Sequence, residues 1–240
     1  MPFCRALPSL LAALVVAGLL VAGCGGGSEG GPPPPPPPNP NSFPLRAAYN
    51  LRLISGDNLN FRLSGTCSGI VNVFVEPAEP ARFGSIDGFA TAQTDSVNFT
   101  SPNCTSGQVF KSSYFDLNLL PVGFIQNSIT SIYAESSAPP SPLPTLVKVG
   151  DTGLYATQTT YTDGSKSTLT GRRELSYVIE ADTTVSFAIA NLITRTFNTS
   201  NELVSTEQAR YRISFEGMLT AVSIDLTAGA THWVYTAIPQ

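Results

Sequence analysis

The chain has 240 residues and a formal net charge of −4, with 13 Lys and Arg against 17 Asp and Glu. Because its few basic residues are thinly spread, neither nucleic acid nor an anionic lipid surface is expected as a partner. A single histidine and the absence of a Cys-x-x-Cys pair argue against a metal site. Without a phosphate-binding glycine loop, no cofactor is expected either.

Residues 1–23 have the layout of a secretory signal peptide. One positive residue, Arg5, precedes an apolar run from Leu7 to Val21 that is too short to remain as a membrane-spanning helix. The run leads into Val-Ala-Gly-Cys ending at Cys24, which resembles the lipobox of bacterial lipoproteins. The resemblance implies that Cys24 receives a diacylglyceryl group and becomes the acylated N-terminus once residues 1–23 are removed. The alternative is an ordinary cleaved signal followed by an incidental cysteine.

Residues 24–41 are predicted to be a lipid-anchored Gly/Pro-rich linker. Its prolines, Pro32 to Pro38, predict a semi-rigid polyproline II rod of roughly 20 Å. In the lipoprotein family an Asp directly after the lipidated cysteine favours retention in the inner membrane. Gly25 stands at that position here, so the resemblance implies the outer membrane, on its periplasmic face or at the cell surface.

The two remaining cysteines, Cys67 and Cys104, are expected to form a disulfide because the predicted compartment is oxidising. Both lie in turn-like contexts, "SGTCSG" and "SPNCTSG", so the bond is predicted to join two loops. They belong to a predicted β-rich module at 42–137. A Pro-rich connection at 138–147 separates this module from a second predicted domain, an antiparallel β-meander at 148–240.

Short apolar runs predict the strands of the first module. Alternation predicts one strand at 59–63, and the buried-type run "IVNVFVEP" predicts another at 70–77. Phe115, Leu117 and Leu119 stand at alternate positions, which predicts one more strand.

Turn residues divide the second domain into long strands. Asp163 and Gly164 predict a hairpin turn, and three further turns are predicted near positions 182, 199 and 216. The stretch "NELVSTEQARYR" at 201–212 contains helix-favouring residues, but its odd-numbered positions continue an apolar face, so a strand is predicted. The spacings leave strands of about 11 to 13 residues, longer than average.

Alternation also predicts that Val185, Phe187, Ile189 and Ile193 share one face of their strand. A meander of long antiparallel strands must twist and usually curls. The predicted fold class is therefore all-β with antiparallel sheets. It consists of a small disulfide-linked β module followed by a long-stranded β-meander, shaped as a curved sheet or partial barrel.

Segments spread over the mature chain carry a second resemblance, among them "VGDTG", "TTYTDGSKST" and "NLITRTFNTSNELVSTEQARYRI". They resemble uncharacterised β-rich lipoproteins of Gram-negative, mostly betaproteobacterial, genomes. The resemblance implies a lipobox followed by a β-rich domain, and it implies no activity.

Two segments resemble nucleophile motifs of hydrolases. Cys67 stands in a G-x-nucleophile-x-G context with His232 downstream, but that motif must lead into a helix and extended β-branched residues follow it here. Asp151 begins an Asp-Thr-Gly triplet like that of aspartic proteases, whose chemistry needs a second such carboxylate. A hydrolase using Cys67 or Asp151 is therefore the least favoured function, and no catalytic residue is predicted.

Four charged residues on neighbouring predicted strands form a candidate surface binding patch: Arg195, Glu207, Arg210 and Arg212. Arginine offers paired donors to a carboxylate or another anion. The simpler interpretation is cross-strand ion pairing on a solvated surface, where each pair contributes a few tenths of a kcal/mol.

The predicted function is that of a non-enzymatic, lipid-anchored envelope protein, a structural or partner-binding module at the outer membrane. Its expected contacts are the membrane, through the lipid, and an unidentified envelope protein or small ligand. The first alternative is a curved sheet that binds a small ligand or a lipid. A large apolar concavity would favour that alternative, whereas a flat sheet with an exposed aromatic edge would favour partner binding.

Overall fold

A computed structural model describes residues 42–127 and 131–239. These residues form one helix, α1 (Leu45–Ser55), and thirteen strands that belong to a single sheet. In chain order the strands are β1 (Asp57–Gly65), β2 (Gly69–Val75), β3 (Glu79–Phe83), β4 (Ile86–Phe99), β5 (Gly107–Asp116), β6 (Pro121–Asn127), β7 (Ile132–Ser136), β8 (Thr152–Tyr161), β9 (Leu169–Ala181), β10 (Phe187–Asn198), β11 (Leu203–Ser214), β12 (Leu219–Ala228) and β13 (Thr231–Ala237). Every pairing between them is antiparallel, which confirms the predicted all-β antiparallel fold.

The sheet closes on itself as a twelve-stranded barrel. The last strand, β13, pairs with β1, while β2 pairs with both β1 and the second half of β4. The first half of β4 carries β3, which lies outside the closed wall as a short edge strand. Pro80 and the charged residues Glu79 and Arg82 protect this edge, because they hinder pairing with another chain.

The barrel wall joins the two predicted parts of the chain. Strands β1–β7 come from 42–137 and β8–β13 come from 148–240. Across the Pro-rich connection β7 pairs directly with β8, with Tyr133 opposite Tyr161. One sheet therefore encloses a common interior.

The long strands of the second part are as predicted. β9, β10 and β11 have 13, 12 and 12 residues, and the chain turns between them near the predicted positions. The stretch at 201–212 lies almost wholly in β11, so the strand prediction is confirmed there. Asp163 and Gly164 lie in the turn between β8 and β9, as predicted.

The strand predicted from Phe115, Leu117 and Leu119 is correct at Phe115, which is buried in β5, but wrong at Leu117 and Leu119. β5 ends at Asp116, whose Oδ1 accepts hydrogen bonds from the backbone N–H groups of Asn118 at 2.8 Å and Leu120 at 2.9 Å. This carboxylate turns the chain. As a result Leu117 is 70% exposed, and Leu119 takes a positive φ of 60°.

The apolar face predicted for β10 is on the outside of the barrel. Ile189 and Ile193 do share a face, but Ala188 and Ala190 point inward and are 0% and 1% exposed. Val185 precedes the strand and is 93% exposed. Small residues are required inside because α1 packs against this part of the wall.

Helix α1 fills one end of the barrel. An eight-stranded barrel is narrow enough for its own side chains to fill, whereas twelve strands enclose a wider interior. Leu45 and Ala48 of α1 supply the missing core, and they pack against buried residues of β8 to β11. No helix in the described ranges is long and apolar enough to cross a membrane.

The Pro-rich connection covers the same end of the barrel. Leu143 and Val147 are buried, and the backbone of Val147 pairs with that of Phe43 just before α1. Arg46 of α1 donates from Nε to the Leu143 carbonyl at 2.6 Å. These contacts fix the helix in its place.

The opposite end of the barrel consists of hairpin turns. There the Cys67–Cys104 disulfide joins the β1–β2 turn to the β4–β5 loop, with 6.3 Å between the two Cα atoms. The predicted pairing of two loops is confirmed. Below the bond, a second core cluster is formed by Phe61, Leu63 and Val71 with residues of β12 and β13.

Candidate functional site

The inner wall of the barrel carries charged side chains as well as apolar ones. Residues two apart on a strand share a face, so Glu207 lies on the same side of β11 as the buried Tyr211 and Ile213. By the same spacing, Arg173 shares the inner side of β9 with Ile179. We call the interior that these residues face the lumen.

An ion pair lies within the lumen between β4 and β5. Lys111 Nζ is 2.6 Å from Asp95 Oδ2, and both side chains are less than a quarter exposed. Burial lowers the pKa of Lys111, but the attraction of Asp95 and of Glu207 outweighs it, and the pKa lies above its usual value. Lys111 is therefore a fixed positive charge, and Asp95 neutralises it.

Arg173 is held differently, because no carboxylate of the described residues lies within 4.0 Å of its guanidinium. The guanidinium carbon lies 4.0 Å from the centroid of the Phe124 ring, and Nη1 is 3.5 Å from Gln158 Oε1. Burial lowers the pKa of Arg173, and the attraction of Glu207 opposes this only in part. The sequence analysis missed Arg173. It lies an even number of residues before Ile179 on β9, so the two side chains share the face that points into the barrel.

Aromatic residues with polar atoms line the same interior. Burial raises the pKa of Tyr235 to about 12 and also raises the pKa values of Tyr155 and Tyr211. These phenols are therefore neutral hydrogen-bond donors near neutral pH. Trp233 of β13 buries its indole Nε1, which has no hydrogen-bond partner among the described residues.

At the helix end the lumen is closed by paired groups. Arg52 of α1 lies 3.0 Å from Asp57 through Nε and Oδ2, and its guanidinium carbon lies 4.6 Å from the centroid of the Tyr211 ring. Burial raises the pKa of the neighbouring Tyr49 to about 12. Arg52 is held by Asp57 and the Tyr211 ring, and these contacts anchor α1.

The structure divides the predicted charged patch between two faces. Arg195, Arg210 and Arg212 lie on the outer wall, but Glu207 faces the lumen and does not belong with them. Arg210 Nε is 3.3 Å from Glu180 Oε2. Arg212 Nε is similarly placed, 2.6 Å from Asp182 Oδ2.

Cross-strand pairing therefore accounts for two of the three outer arginines. Asn191 continues this network, donating from Nδ2 to Glu180 at 2.7 Å and to Gln208 at 3.1 Å. Arg195 stands apart, exposed at the border of an open groove of about 320 Å³ that Glu174 and Ile193 also line. The arrangement is that of a solvated surface with ion pairs.

The residues of the hydrolase motifs have structural partners. Cys67 is bound to Cys104 and so has no free thiol. The His232 ring accepts or donates one hydrogen bond, at 3.1 Å to Asp225, on the exposed side of β13. Asp151 accepts a hydrogen bond at 2.8 Å from the Lys148 backbone N–H in the turn before β8.

The proposed lipid attachment residue, Cys24, lies outside the described residues. So does the linker that follows it. The lipobox therefore remains a prediction.

Three large apolar side chains are exposed on the outer wall of β2 and β5, which lie on either side of β4. Ile70 is 52% exposed, Phe74 is 43% exposed and Phe110 is 50% exposed. Phe74 pairs with Thr94, and Thr94 pairs with Phe110, so the two rings lie on one row across three strands. We call these three residues the apolar patch.

Within residues 42–127 and 131–239, no group of three or more His, Cys, Asp or Glu side chains is arranged to hold a metal ion. Comparison with known proteins finds no matching family model, no matching curated protein and no matching solved structure. No family is therefore assigned to this chain.

Proposed function

We propose that the chain is a non-enzymatic lipoprotein, anchored through Cys24 at the outer membrane, whose barrel binds a protein partner in the cell envelope. The lipobox-like segment ending at Cys24 and the Gly/Pro-rich linker at 24–41 support the anchor. Two or more acyl chains on one cysteine anchor a protein stably, whereas one alone holds it only marginally.

The linker is joined to one end of the barrel. The linker joins the barrel at Ser42, directly before α1, so the tether is attached at the helix-filled end. The β1–β2 turn with the Cys67–Cys104 bond lies at the opposite end, because β1 begins directly after α1 and runs along the wall away from it. The hairpin end and the wall next to it are therefore free to meet a partner.

Charges on the outer wall support a barrel that stands beside the membrane rather than within it. A membrane-spanning barrel presents an outward apolar band about 25 Å tall. Here the outward positions of three adjacent strands, β9 to β11, carry Arg172, Glu174, Glu180, Arg195, Arg210 and Arg212. Charges at these positions would be costly in lipid.

The observation that carries the proposal is the apolar patch. A partner gains free energy by covering Ile70, Phe74 and Phe110, because apolar area leaves water. Polar and charged groups border the patch: Arg62 of β1 stands opposite Ile70, and Asn72, between Ile70 and Phe74 on β2, donates from Nδ2 to Asn58 Oδ1 at 2.8 Å. Apolar side chains bordered by polar and charged groups are typical of a protein–protein interface.

A photo-crosslinking experiment tests the patch directly. In the full-length protein, Phe110 or Phe74 is replaced by a photoreactive phenylalanine analogue, and the native envelope is irradiated. The expected result is a discrete crosslinked product with another protein, which disappears when Ile70→Ser is added. Val185, which is 93% exposed at the helix-filled end, is the matched control position and should give no product.

Two outcomes would contradict the proposal. Products that do not differ between Phe110 and Val185 would mean that the patch binds no partner. A product with the mass of two copies of the chain would make the patch a self-association surface instead. Intact-mass measurement of the membrane-extracted protein tests the anchor separately, since lipidation requires added acyl mass on Cys24.

Lipid binding inside the barrel is not supported. An acyl chain needs an apolar cavity, whereas the lumen carries Lys111, Arg173 and Glu207. A polar ligand remains compatible with that interior.

A further inference from the structure

Inward side chains of the lumen beyond α1 remain partly exposed. Helix α1 packs the end formed by β8 to β11, but further along the barrel the inward groups keep contact with water. The side chains of Lys111 and Asp95 face inward and are still 22% and 14% exposed. The interior of a twelve-stranded barrel is wider than that of an eight-stranded one, and the exposure of these inward groups marks the place that a small molecule would occupy.

Among the described residues, two charges in the lumen have no oppositely charged group within 4.0 Å. Lys111 is paired with Asp95, and Arg52 is paired with Asp57. Arg173 and Glu207 remain, and they attract each other without forming an ion pair. A charge that is partly removed from water and has no opposite charge beside it is costly, so both groups gain from a ligand that brings the opposite charges.

Strand register shows why Arg173 and Glu207 stay apart. Arg173 lies opposite Thr196 of β10, while Glu207 lies opposite Thr194 of the same strand. They are thus two strands and two residues apart on one face, which corresponds to about 12 Å between their Cα atoms. The Arg173 guanidinium also lies over the Phe124 ring, and apart from Nη1, which contacts Gln158, its N–H donors remain available to a ligand.

Trp233 provides an independent sign of a missing partner. Its indole Nε1 is buried and has no acceptor among the described residues. Glu207 pairs with Leu226, and Leu226 pairs with Trp233, so the indole lies on the row of Glu207 along the inner wall. A bound molecule with an acceptor atom would satisfy this donor.

We propose that the lumen binds a small organic zwitterion, with its anionic group at Arg173 and its cationic group at Glu207. A simple anion would be repelled by Glu207, and a simple cation would be repelled by Arg173. A zwitterion satisfies both charges and leaves the net charge of the site unchanged. This inference goes beyond the proposed protein partner and does not depend on the apolar patch.

The test is a titration with ω-amino acids of increasing length, from glycine to 6-aminohexanoate. Trp233 is the only tryptophan of the chain, so its fluorescence reports on the lumen of the full-length protein. We expect saturable binding with a clear optimum at one or two adjacent chain lengths. Hexanoate and hexylammonium, which carry one charge each, should bind at least 10-fold more weakly, because each lacks one charge-assisted contact.

Single substitutions then test whether Arg173 and Glu207 bind the two charged groups of the ligand. Arg173→Gln and Glu207→Gln should each weaken binding by about 10-fold or more. The matched controls are Arg62→Gln and Glu76→Gln, whose side chains are exposed and lie away from the lumen, and they should leave binding unchanged. Circular dichroism and a thermal transition show whether each variant folds.

Glu207→Asp keeps the charge and distinguishes a binding role from a structural one. Its shorter side chain should move the optimum to an amino acid longer by one methylene. The proposal is overturned if no member of the series binds at 10 mM, or if the single-charge compounds bind as tightly as the zwitterions. It is also overturned if folded variants bind as the wild type does, or if Glu207→Asp leaves the optimum in place.

Discussion

At the residue scale, the outer wall shows how one missing side chain allows an aromatic cluster to form. Phe83 of β3 packs against Tyr114 and Tyr133, with ring centroids 4.7 and 5.3 Å away. It lies directly over Gly123 of β6, where an added Cβ would come within 2.2 Å of the Phe83 ring. Because Gly123 has no side chain, the Phe83 ring can pack against β6 and hold the edge strand β3 on the barrel.

We predict that Gly123→Ala lowers the free energy of unfolding by about 1 to 3 kcal/mol, because the methyl group forces the ring away. Urea denaturation monitored by circular dichroism measures this change. Gly107→Ala is the matched control, since a Cβ there meets nothing within 4 Å, and its effect should stay within about 0.5 kcal/mol. Equal effects of the two substitutions would contradict the packing account.

The lumen tyrosines predict how stability responds to alkaline pH. Burial raises the pKa of Tyr235 from 10.0 to about 12 in the folded protein. Between these values the unfolded chain releases the phenol proton and the folded chain keeps it. The contribution of Tyr235 to stability is thus fully present below pH 10 and is lost as the pH rises toward 12.

We therefore predict that the free energy of unfolding falls between pH 10 and 12, with about 1.4 kcal/mol per pH unit arising from Tyr235 alone. Tyr235→Phe should make the slope shallower by about that amount. Denaturant unfolding at a series of pH values up to 11.5 provides the measurement. A slope that Tyr235→Phe leaves unchanged would mean that the phenol is not buried as described.

The residue scale also shows where sequence analysis failed on the candidate site. Glu207 was grouped with Arg210 and Arg212 because all three are charged, yet Glu207 shares the odd-numbered phase of Tyr211 and Ile213. Its position in this alternation predicts that it lies on the inner face of the barrel. A charged residue there contradicts the usual pattern, in which inward-facing residues are apolar. Only the width of a twelve-stranded barrel makes room for a charged inner residue, and that width is not visible from one strand.

At the element scale, α1 was not predicted. Its eleven residues, "LRAAYNLRLIS", include Arg46 and Arg52, whose charges are typical of a surface segment. Both side chains find partners only in the folded barrel, at the Leu143 carbonyl and at Asp57. By contrast, strands flanked by turn residues such as Asp163 and Gly164 were predictable, because turn and strand preferences are local.

Two neighbouring residues of α1 provide a matched test of its packing. Leu53 is 6% exposed and faces the barrel, whereas Ile54 is 56% exposed. We predict that Leu53→Ala lowers the free energy of unfolding by about 2 to 5 kcal/mol through the cavity it leaves. Ile54→Ala should change it by about 0.5 kcal/mol or less, and equilibrium denaturation would contradict the account if the two costs were alike.

The disulfide acts on the opposite end of the barrel. It closes a loop with a sequence separation of 37 residues between β1–β2 and β4–β5. In the chain-entropy model such a loop corresponds to about 4 kcal/mol, because the bond restricts the unfolded chain. We predict that the Cys67→Ser, Cys104→Ser double variant loses up to that amount in denaturant unfolding, while an unchanged midpoint would contradict a stabilising bond.

At the scale of the whole molecule, barrel closure depends on pairings that are distant in sequence. β1 pairs with β13, placing Phe61 opposite Ala237, and the second core cluster combines residues of β1 and β2 with Trp233 and Tyr235. Such long-range pairs have no local signature, which is why the sequence predicted only a curved sheet or partial barrel. The all-β class followed from local alternation, whereas the closed wall depends on contacts between the two ends of the chain.

Closure also determines how the protein unfolds. If the wall is continuous, neither 42–137 nor 148–240 has a complete core, since each would expose two unpaired strand edges and half of the lumen. We predict a single cooperative transition for the whole chain, with circular dichroism and Trp233 fluorescence changing together. Produced separately, the two segments should give the poorly dispersed NMR spectra of unfolded chains, and when mixed they should recover the dispersion of the barrel. Two separate transitions, or one segment with a dispersed spectrum of its own, would mean that the chain folds as two modules that meet only after each has formed its own core.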